Sequence, residues 1–324
     1  MDRRSFNSRV AAAALGAATL GHAGRRVGAA EAEPHTVEKR SGHRASNPIC
    51  VSTYSYWRYR ADQRLGIGEC IDLAAASGFD AVEVLHRQMD AEDNATLQAL
   101  KRRAFHAGMP LVSLSTHQDF LRPDPAERKQ QVENTKHYIE LANAMGMPII
   151  RVSTGRWNTS ENFNALMANR GIEPPIEGYN DEDGFGWVRE SLEELLPVAE
   201  KNGVTLGVEN HWGLARTAEG LNRIVKDFDD TPWVQVLVDT GNFLEDPYDQ
   251  IAAVAPRVCF VQAKTYYGGG TWYTLNLDYD RIAKILHDVD YRGYISLEFE
   301  GQADAEVAIP QSLALLRNAF RYDV

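Results

Sequence analysis

Three things are scarce in this sequence of 324 residues: cysteine, basic charge and long apolar runs. Only Cys50, Cys70 and Cys259 occur, and their spacing matches neither a disulfide framework nor a thiolate metal site. Cys50 and Cys259 fall in expected strands and Cys70 in an expected helix, so they read as free thiols packed as small apolar residues. Lys and Arg number 34 against 45 Asp and Glu, a formal net charge of −11. An acidic chain repels a nucleic-acid backbone and an anionic membrane, so neither is expected as a partner. No uninterrupted apolar stretch of about 20 residues is present, which argues against a spanning helix. Neither a G-x-G-x-x-G nor a Walker-type glycine loop appears, which removes the usual signatures of dinucleotide and nucleoside triphosphate binding.

The N-terminal segment reads as an export signal. Arg3 and Arg4 precede Phe6, an Ala/Gly/Leu run follows from Val10 to Gly21, and small residues cluster at Ala29 to Ala32. The paired arginines resemble the twin-arginine type of signal. An A-x-A pattern at Ala30, Glu31 and Ala32 places cleavage after Ala32. Residues 1–32 are therefore expected to be the signal, 33–47 a polar linker, and 48–324 the folded domain. The mature protein is expected to be exported and periplasmic, with no stable membrane insertion once the signal is removed.

From Pro48 onward one unit recurs: a short apolar run, a loop, then an amphipathic helix closed near a glycine. The runs are Ile49–Thr53, Ala81–Leu85, Leu111–Ser115, Ile149–Ser153, Val204–Val208, Val234–Val238, Val258–Ala263 and Tyr294–Leu297. Several are near-continuous Val, Ile and Leu, as expected of parallel strands covered on both faces. Helices are expected at Glu69–Ser77, Pro125–Met145 and Val188–Lys201. Eight such units predict a single (β/α)8 TIM barrel; an open doubly wound sheet is the alternative, without a glycine fingerprint to support it. Thr154 to Phe185 is long and rich in Gly, Asn and Pro. It follows strand four, and is expected to lie over the C-terminal mouth.

In a barrel of this type the chemistry belongs to strand ends on the C-terminal face. Strand five leads into Glu209, Asn210 and His211, strand six into Asp239 and Asn242, strand seven into Gln262 and Lys264, and strand eight into Glu298 and Glu300. Carboxylates brought together repel one another unless positive charge lies between them. A divalent cation is the economical source of that charge, and oxygen donors favour Mn²⁺ or Mg²⁺, with Zn²⁺, Co²⁺ and Fe²⁺ compatible. Earlier strands add candidate substrate contacts: Glu83 inside strand two, His86 just beyond it, His117 after strand three, and Tyr54, Trp57 and Arg58 after strand one. Arg151 lies near the end of strand four with no partner legible from sequence.

The stretches VENHWG (208–213), VDTGNF (238–243), VQAKTY (261–266) and SLEFEG (296–301) resemble the xylose isomerase-like barrel proteins, the sugar phosphate isomerase/epimerase group. The resemblance extends over essentially the whole barrel. It implies one metal held by Glu, Asp, His and Glu from strands five to eight, which map to Glu209, Asp239, the Gln262 position and Glu298. Two positions depart from the pattern: Gln262 stands where His is usual, and Asn242 replaces a His that often follows the strand-six Asp. His211 is a further candidate ligand or proton donor.

The resemblance also implies proton abstraction beside a sugar carbonyl, through an enediolate, with Glu209 and Glu298 exchanging the proton and Lys264 stabilising an oxyanion or relaying a proton. Asn242 is assigned to substrate binding. Export points to an unphosphorylated sugar or a glycoside as the small-molecule partner; a homo-oligomer is compatible with the sequence. A 3-keto-glycoside lyase would use the same residues and differ in what leaves. A metal-dependent endonuclease is disfavoured by the acidic charge, and a noncatalytic sugar-binding barrel by the retained carboxylates.

Overall fold

The computed structural model describes residues 46–321. The signal expected at 1–32 and all but the last two residues of the linker expected at 33–47 lie outside them. Eight parallel strands close on themselves in sequence order, β1 pairing with β8. They are β1 (Ile49–Ser52), β2 (Ala81–Leu85), β3 (Leu111–Ser115), β4 (Ile149–Val152), β5 (Thr205–Glu209), β6 (Val234–Asp239), β7 (Val258–Thr265) and β8 (Ile295–Phe299). The expected (β/α)8 TIM barrel is what forms. Among the described residues the helices are α1 (Tyr54–Trp57), α2 (Ile67–Ser77), α3 (Asn94–His106), α4 (Pro125–Met145), α5 (Phe163–Ala168), α6 (Asp181–Asn202), α7 (Ala218–Lys226), α8 (Pro247–Val254), α9 (Tyr279–Asp288) and α10 (Ala305–Ala319). None of them is long and apolar enough to cross a membrane.

The helix boundaries follow from their caps. Pro125 opens α4 behind Asp124, whose side chain accepts from the Ala126 N–H, and Gly146 closes it at φ 77°. Helix α6 begins seven residues before the expected Val188. Its first turn, Asp181–Asp183, carries no apolar periodicity. Asn180 and Asp183 instead form a reciprocal capping box, and acids in a first turn complement the helix dipole. The free ends of the barrel are tied together at its base: the Asn47 N–H donates to the Phe320 carbonyl, and its side-chain amide to the Gly293 carbonyl at 2.9 Å. Asn47, which falls in the expected linker, is thus part of the packed barrel.

Strand alternation decides what reaches the barrel interior. Val51, Val82, Val208, Val236, Val238, Val261, Leu297 and their neighbours face outward and pack under the helices in the main core. The inward residues stack in layers. At the bottom Cys50, Ala81, Val112, Ile149, Leu237 and Phe260 form a separate apolar plug. Cys50 and Cys70 are buried and Cys259 partly so, and all three are free thiols. Above the plug the same alternation turns polar, through Glu83, Gln262 and Ser296 to Arg151, Glu209, Asp239, Lys264 and Glu298. Glu209 and Asp239 are the last residues of their strands, and Lys264 and Glu298 lie within theirs, as register partners.

Candidate active site

The middle layer is a closed polar network. Glu83 is fully buried and accepts from Gln262 Nε2 at 2.9 Å, from the Ser296 hydroxyl at 2.6 Å and from the Ser113 hydroxyl at 3.4 Å. Burial pushes its carboxyl above the ordinary range, against the pull of these donors. It forms the floor of the site and does not line the cavity above. Its assignment as a substrate contact is therefore corrected: register sets it two residues below the mouth, and both of its oxygens already accept hydrogen bonds from the barrel interior.

The cavity above that floor has a volume of about 520 Å³ and is lined by Glu209, His211, Asn242, Lys264, Glu298 and His117, among others. Asp239 and Gln262 lie behind this surface, each with 0% exposure. Two cations stand among the carboxylates. Lys264 Nζ is 2.9 Å from Asp239 Oδ2 and 3.6 Å from Glu300, and donates to Asn242 Oδ1 at 2.9 Å. Arg151 Nη1 is 3.3 Å from Glu209 Oε1, and Nε and Nη2 each donate to the Thr116 carbonyl at 3.2 Å. The positive charge assigned from sequence to a metal ion is thus supplied, in part, by the chain itself. Gly241 makes room for the lysine: a Cβ there would stand 2.5 Å from Lys264 Cδ.

These neighbours set the protonation states. Burial pulls Lys264 down, but the surrounding charges, Asp239 first and then Tyr273, Glu300 and Glu298, together outweigh it and hold the ammonium well above its ordinary value. Burial raises the Glu209 carboxyl to about 7, with Arg151 holding it from going higher and Asp239 adding to the rise. Burial raises Glu298 well above the ordinary range against the pull of Lys264. His211 and His117 are both pushed down by burial and then by Arg151, so each is a neutral imidazole near neutral pH.

Do these residues suit a metal ion? One oxygen each of Glu209 (Oε2) and Gln262 (Oε1) is buried without a hydrogen-bond partner, Asp239 Oδ2 has only its ion pair with Lys264, and hard divalent ions take such oxygens. Because Gln262 Nε2 is spent on Glu83, its amide is oriented and its free oxygen is defined. Among the described residues no three His, Cys, Asp or Glu side chains stand close enough to hold an ion by themselves. The donor set fits a hard cation in kind and depends on the amide. In placement, Lys264 already neutralises Asp239 and would compete.

The remaining sequence candidates divide. His117 and Asn242 line the cavity. His86 and Trp57 do not; they line an adjoining one, where His86 Nε2 pairs with Glu92 at 2.6 Å. The segment 154–185 reaches the mouth as expected, placing Arg156, Phe163 and Met167 on the cavity wall. Phe163 meets Trp272 edge-on at 4.7 Å between ring centroids. Trp212, Tyr266, Trp272 and Tyr273 were not among the sequence candidates although they line the cavity. Their signal was available, since Trp212 belongs to the strand-five motif and Tyr266 to that of strand seven.

A closed parallel barrel with a carboxylate-rich C-terminal mouth defines the class. The xylose isomerase-like TIM barrel model matches residues 71–319, and the chain belongs to that family. An inosose dehydratase of Clostridium perfringens (strain 13 / Type A) is 25% identical over 283 residues, covering 76% of this chain and 86% of the relative. The 3-keto-D-glucoside 4-epimerase of E. coli superposes with a TM-score of 0.65 at 17% identity, over 84% of this chain and 99% of that one. D-psicose 3-epimerase of Clostridium cellulolyticum H10, solved with D-tagatose, gives 0.67 at 18% identity, over 85% and 100%. These two likenesses concern the fold.

Proposed function

We propose that the chain is a sugar isomerase or epimerase acting by proton abstraction beside a carbonyl, on an unphosphorylated sugar. The observation that carries this reading is the placing of Glu209 and Glu298 on the wall of one cavity, with Lys264 and Asn242 beside them. The two carboxyls have different tasks because their surroundings separate them. Glu209, near 7, takes the proton from the carbon next to the carbonyl. Glu298, kept protonated by burial, returns one to the enediolate. Return to the same carbon from the opposite side gives an epimer; return to the former carbonyl carbon gives an isomer. The Lys264 ammonium faces the oxygen on which negative charge develops. Arg151 orients Glu209, and Asn242 links Lys264 to Glu209 through contacts of 2.9 and 3.4 Å.

Glu209, Asp239, Gln262 and Glu298 are the residues that would hold one divalent ion, with Mn²⁺ or Mg²⁺ favoured by an all-oxygen set. When bound, such an ion supplies further positive charge against the developing oxyanion. The export proposed for residues 1–32 favours unphosphorylated substrates. A second reading is supported by the dehydratase relative: the same abstraction followed by loss of the neighbouring substituent, as in a 3-keto-glycoside lyase. Incubation with unphosphorylated ketoses, aldoses and 3-keto-glycosides, with and without Mn²⁺, tests both. Conserved substrate mass supports the isomerase, a released aglycone the lyase, and no turnover of any of them defeats both.

A further inference from the structure

The cleft continues past the carboxylates. A second cavity of about 920 Å³ adjoins the first, and Arg87, His117, Arg156, His211 and Trp212 line both. The first, at about 520 Å³, already lies within the roughly 300–1,000 Å³ that small-molecule sites occupy, and a single hexose does not need the second.

The charged groups on the wall of the second cavity are mostly engaged within the protein. Arg122 is paired with Asp119, and Arg156 Nη1 lies 2.8 Å from Glu173. Glu92 is held between His86 at 2.6 Å and His137 at 2.5 Å. Arg87 is the exception, exposed and beside the Tyr59 hydroxyl. A phosphate or carboxylate ligand would call for free, convergent cations. Between these pairs the wall offers the rings of Trp57, Tyr138 and Trp212 and the amides of Gln131 and Asn134. Flat apolar rings alternating with amide donors and acceptors suit the faces and hydroxyls of a neutral pyranose.

His117 stands at the junction with a hydrogen to give. Arg151 only donates, so His117 Nε2 accepts at 2.9 Å and Nδ1 carries the proton. That Nδ1–H is buried and has no partner, and Asp119, which also lines the second cavity, has a buried oxygen without one, Oδ1. Buried polar groups left unpaired are unfavourable, and a ligand bearing hydroxyl and ether oxygens pairs them once these side chains turn toward it.

We infer that the second cavity is a subsite for a second, uncharged sugar ring, so that the substrate class is a neutral glycoside of at least two rings, its keto ring beside Glu209 and Glu298. This rests on the sugar-isomerising reading of the first cavity.

The test uses the full chain, a free ketohexose, and a panel of 3-keto disaccharides differing in linkage. At least one disaccharide is expected to exceed the hexose in kcat/KM by tenfold or more. Asn134→Trp and Met89→Trp, which fill the second cavity from different elements, are expected to cut that ratio at least tenfold. The ratio cancels any general loss of active enzyme. A hexose turned over as well as every disaccharide, or a ratio unmoved by both variants, overturns the subsite and leaves the isomerase reading standing. If wild-type protein turns over neither, that reading falls. Calorimetric titration with cellobiose, maltose and glucose then decides the subsite alone: tighter binding of a disaccharide that both variants abolish upholds it, and equal binding overturns it.

Discussion

Replacing Arg151 with Met separates the electrostatic core of the site from its packing. Arg151 is 6% exposed, and its guanidinium serves the Glu209 carboxylate at 3.3 Å and the Thr116 carbonyl at 3.2 Å. Methionine keeps most of the volume and removes the charge. Breaking a buried ion pair from one side typically costs about 3–5 kcal/mol, because the other charge is left uncompensated. The loss depends on pH, with a sign that follows from Glu209. Its carboxyl is raised from an ordinary 4.5 to about 7 in the folded protein, so the stability tied to it is fully present below 4.5 and is lost as pH rises through 7. Arg151 holds that value down, so its removal pushes it higher and enlarges the loss on the alkaline side. At pH 8.5 we expect destabilisation by about 3–5 kcal/mol. At pH 5.5 a protonated Glu209 leaves only neutral acceptors, the Thr116 carbonyl and His117 Nε2, short of donors, and the loss shrinks to about 1–3 kcal/mol. At roughly 2–4 °C per kcal/mol for a domain somewhat smaller than this one, the alkaline Tm falls by about 10 °C. Urea denaturation of wild type, Arg151→Met, Glu209→Gln and the double variant at both pH values measures the coupling. The double variant should be more stable at pH 8.5 than Arg151→Met alone. Equal losses at the two pH values, with additive double-variant energies, would refute the pairing and the titration assigned to Glu209.

Glu298→Gln should lower turnover by about 10²-fold or more, measured at saturating Mn²⁺. In deuterated solvent it should still exchange the substrate proton, because Glu209 removes it, whereas Glu209→Gln should lose exchange and turnover together; exchange lost in Glu298→Gln and kept in Glu209→Gln would reverse the assignment. Lys264→Met should raise Mn²⁺ affinity at least tenfold by calorimetry, since the ammonium competes for Asp239: a divalent and a single charge about 4 Å apart repel by roughly 8 kcal/mol at an effective dielectric near 20. Unchanged affinity would show that ion and lysine do not share that carboxylate. A reporter carrying residues 1–47 should be exported, and replacing Arg3 and Arg4 with Lys should block it; export that survives removes the twin-arginine assignment.

Much of the site was legible because strand-end residues in a parallel barrel are positioned by chain order alone. The strand assignments fell within one or two residues of the observed ends, and the motifs around Glu209, Asp239, Lys264 and Glu298 share one rim. Alternation along β7 and β8 puts Gln262 and Lys264, and Ser296 and Glu298, on the inner face without any knowledge of packing. What sequence could not provide was depth. Glu83 and Glu298 are both inward carboxylates on buried strands, yet the stagger of the barrel makes one the floor and the other a wall.

The sequence by itself determined the architecture, the order of polar groups around the mouth and their chemical type, since those depend on periodicity and on which residue ends each strand. The tertiary structure alone decided which charges meet. Arg151 lies 58 residues from Glu209 in the chain and Gln262 lies 179 from Glu83, and only closure of the barrel brings each pair together. The same closure put Lys264 against Asp239, where sequence reasoning had looked to a metal ion for the neutralising charge. It also divided the aromatic and imidazole groups between two adjoining cavities. Local propensity cannot report such contacts, because they follow from strand stagger and from loops folding over the rim.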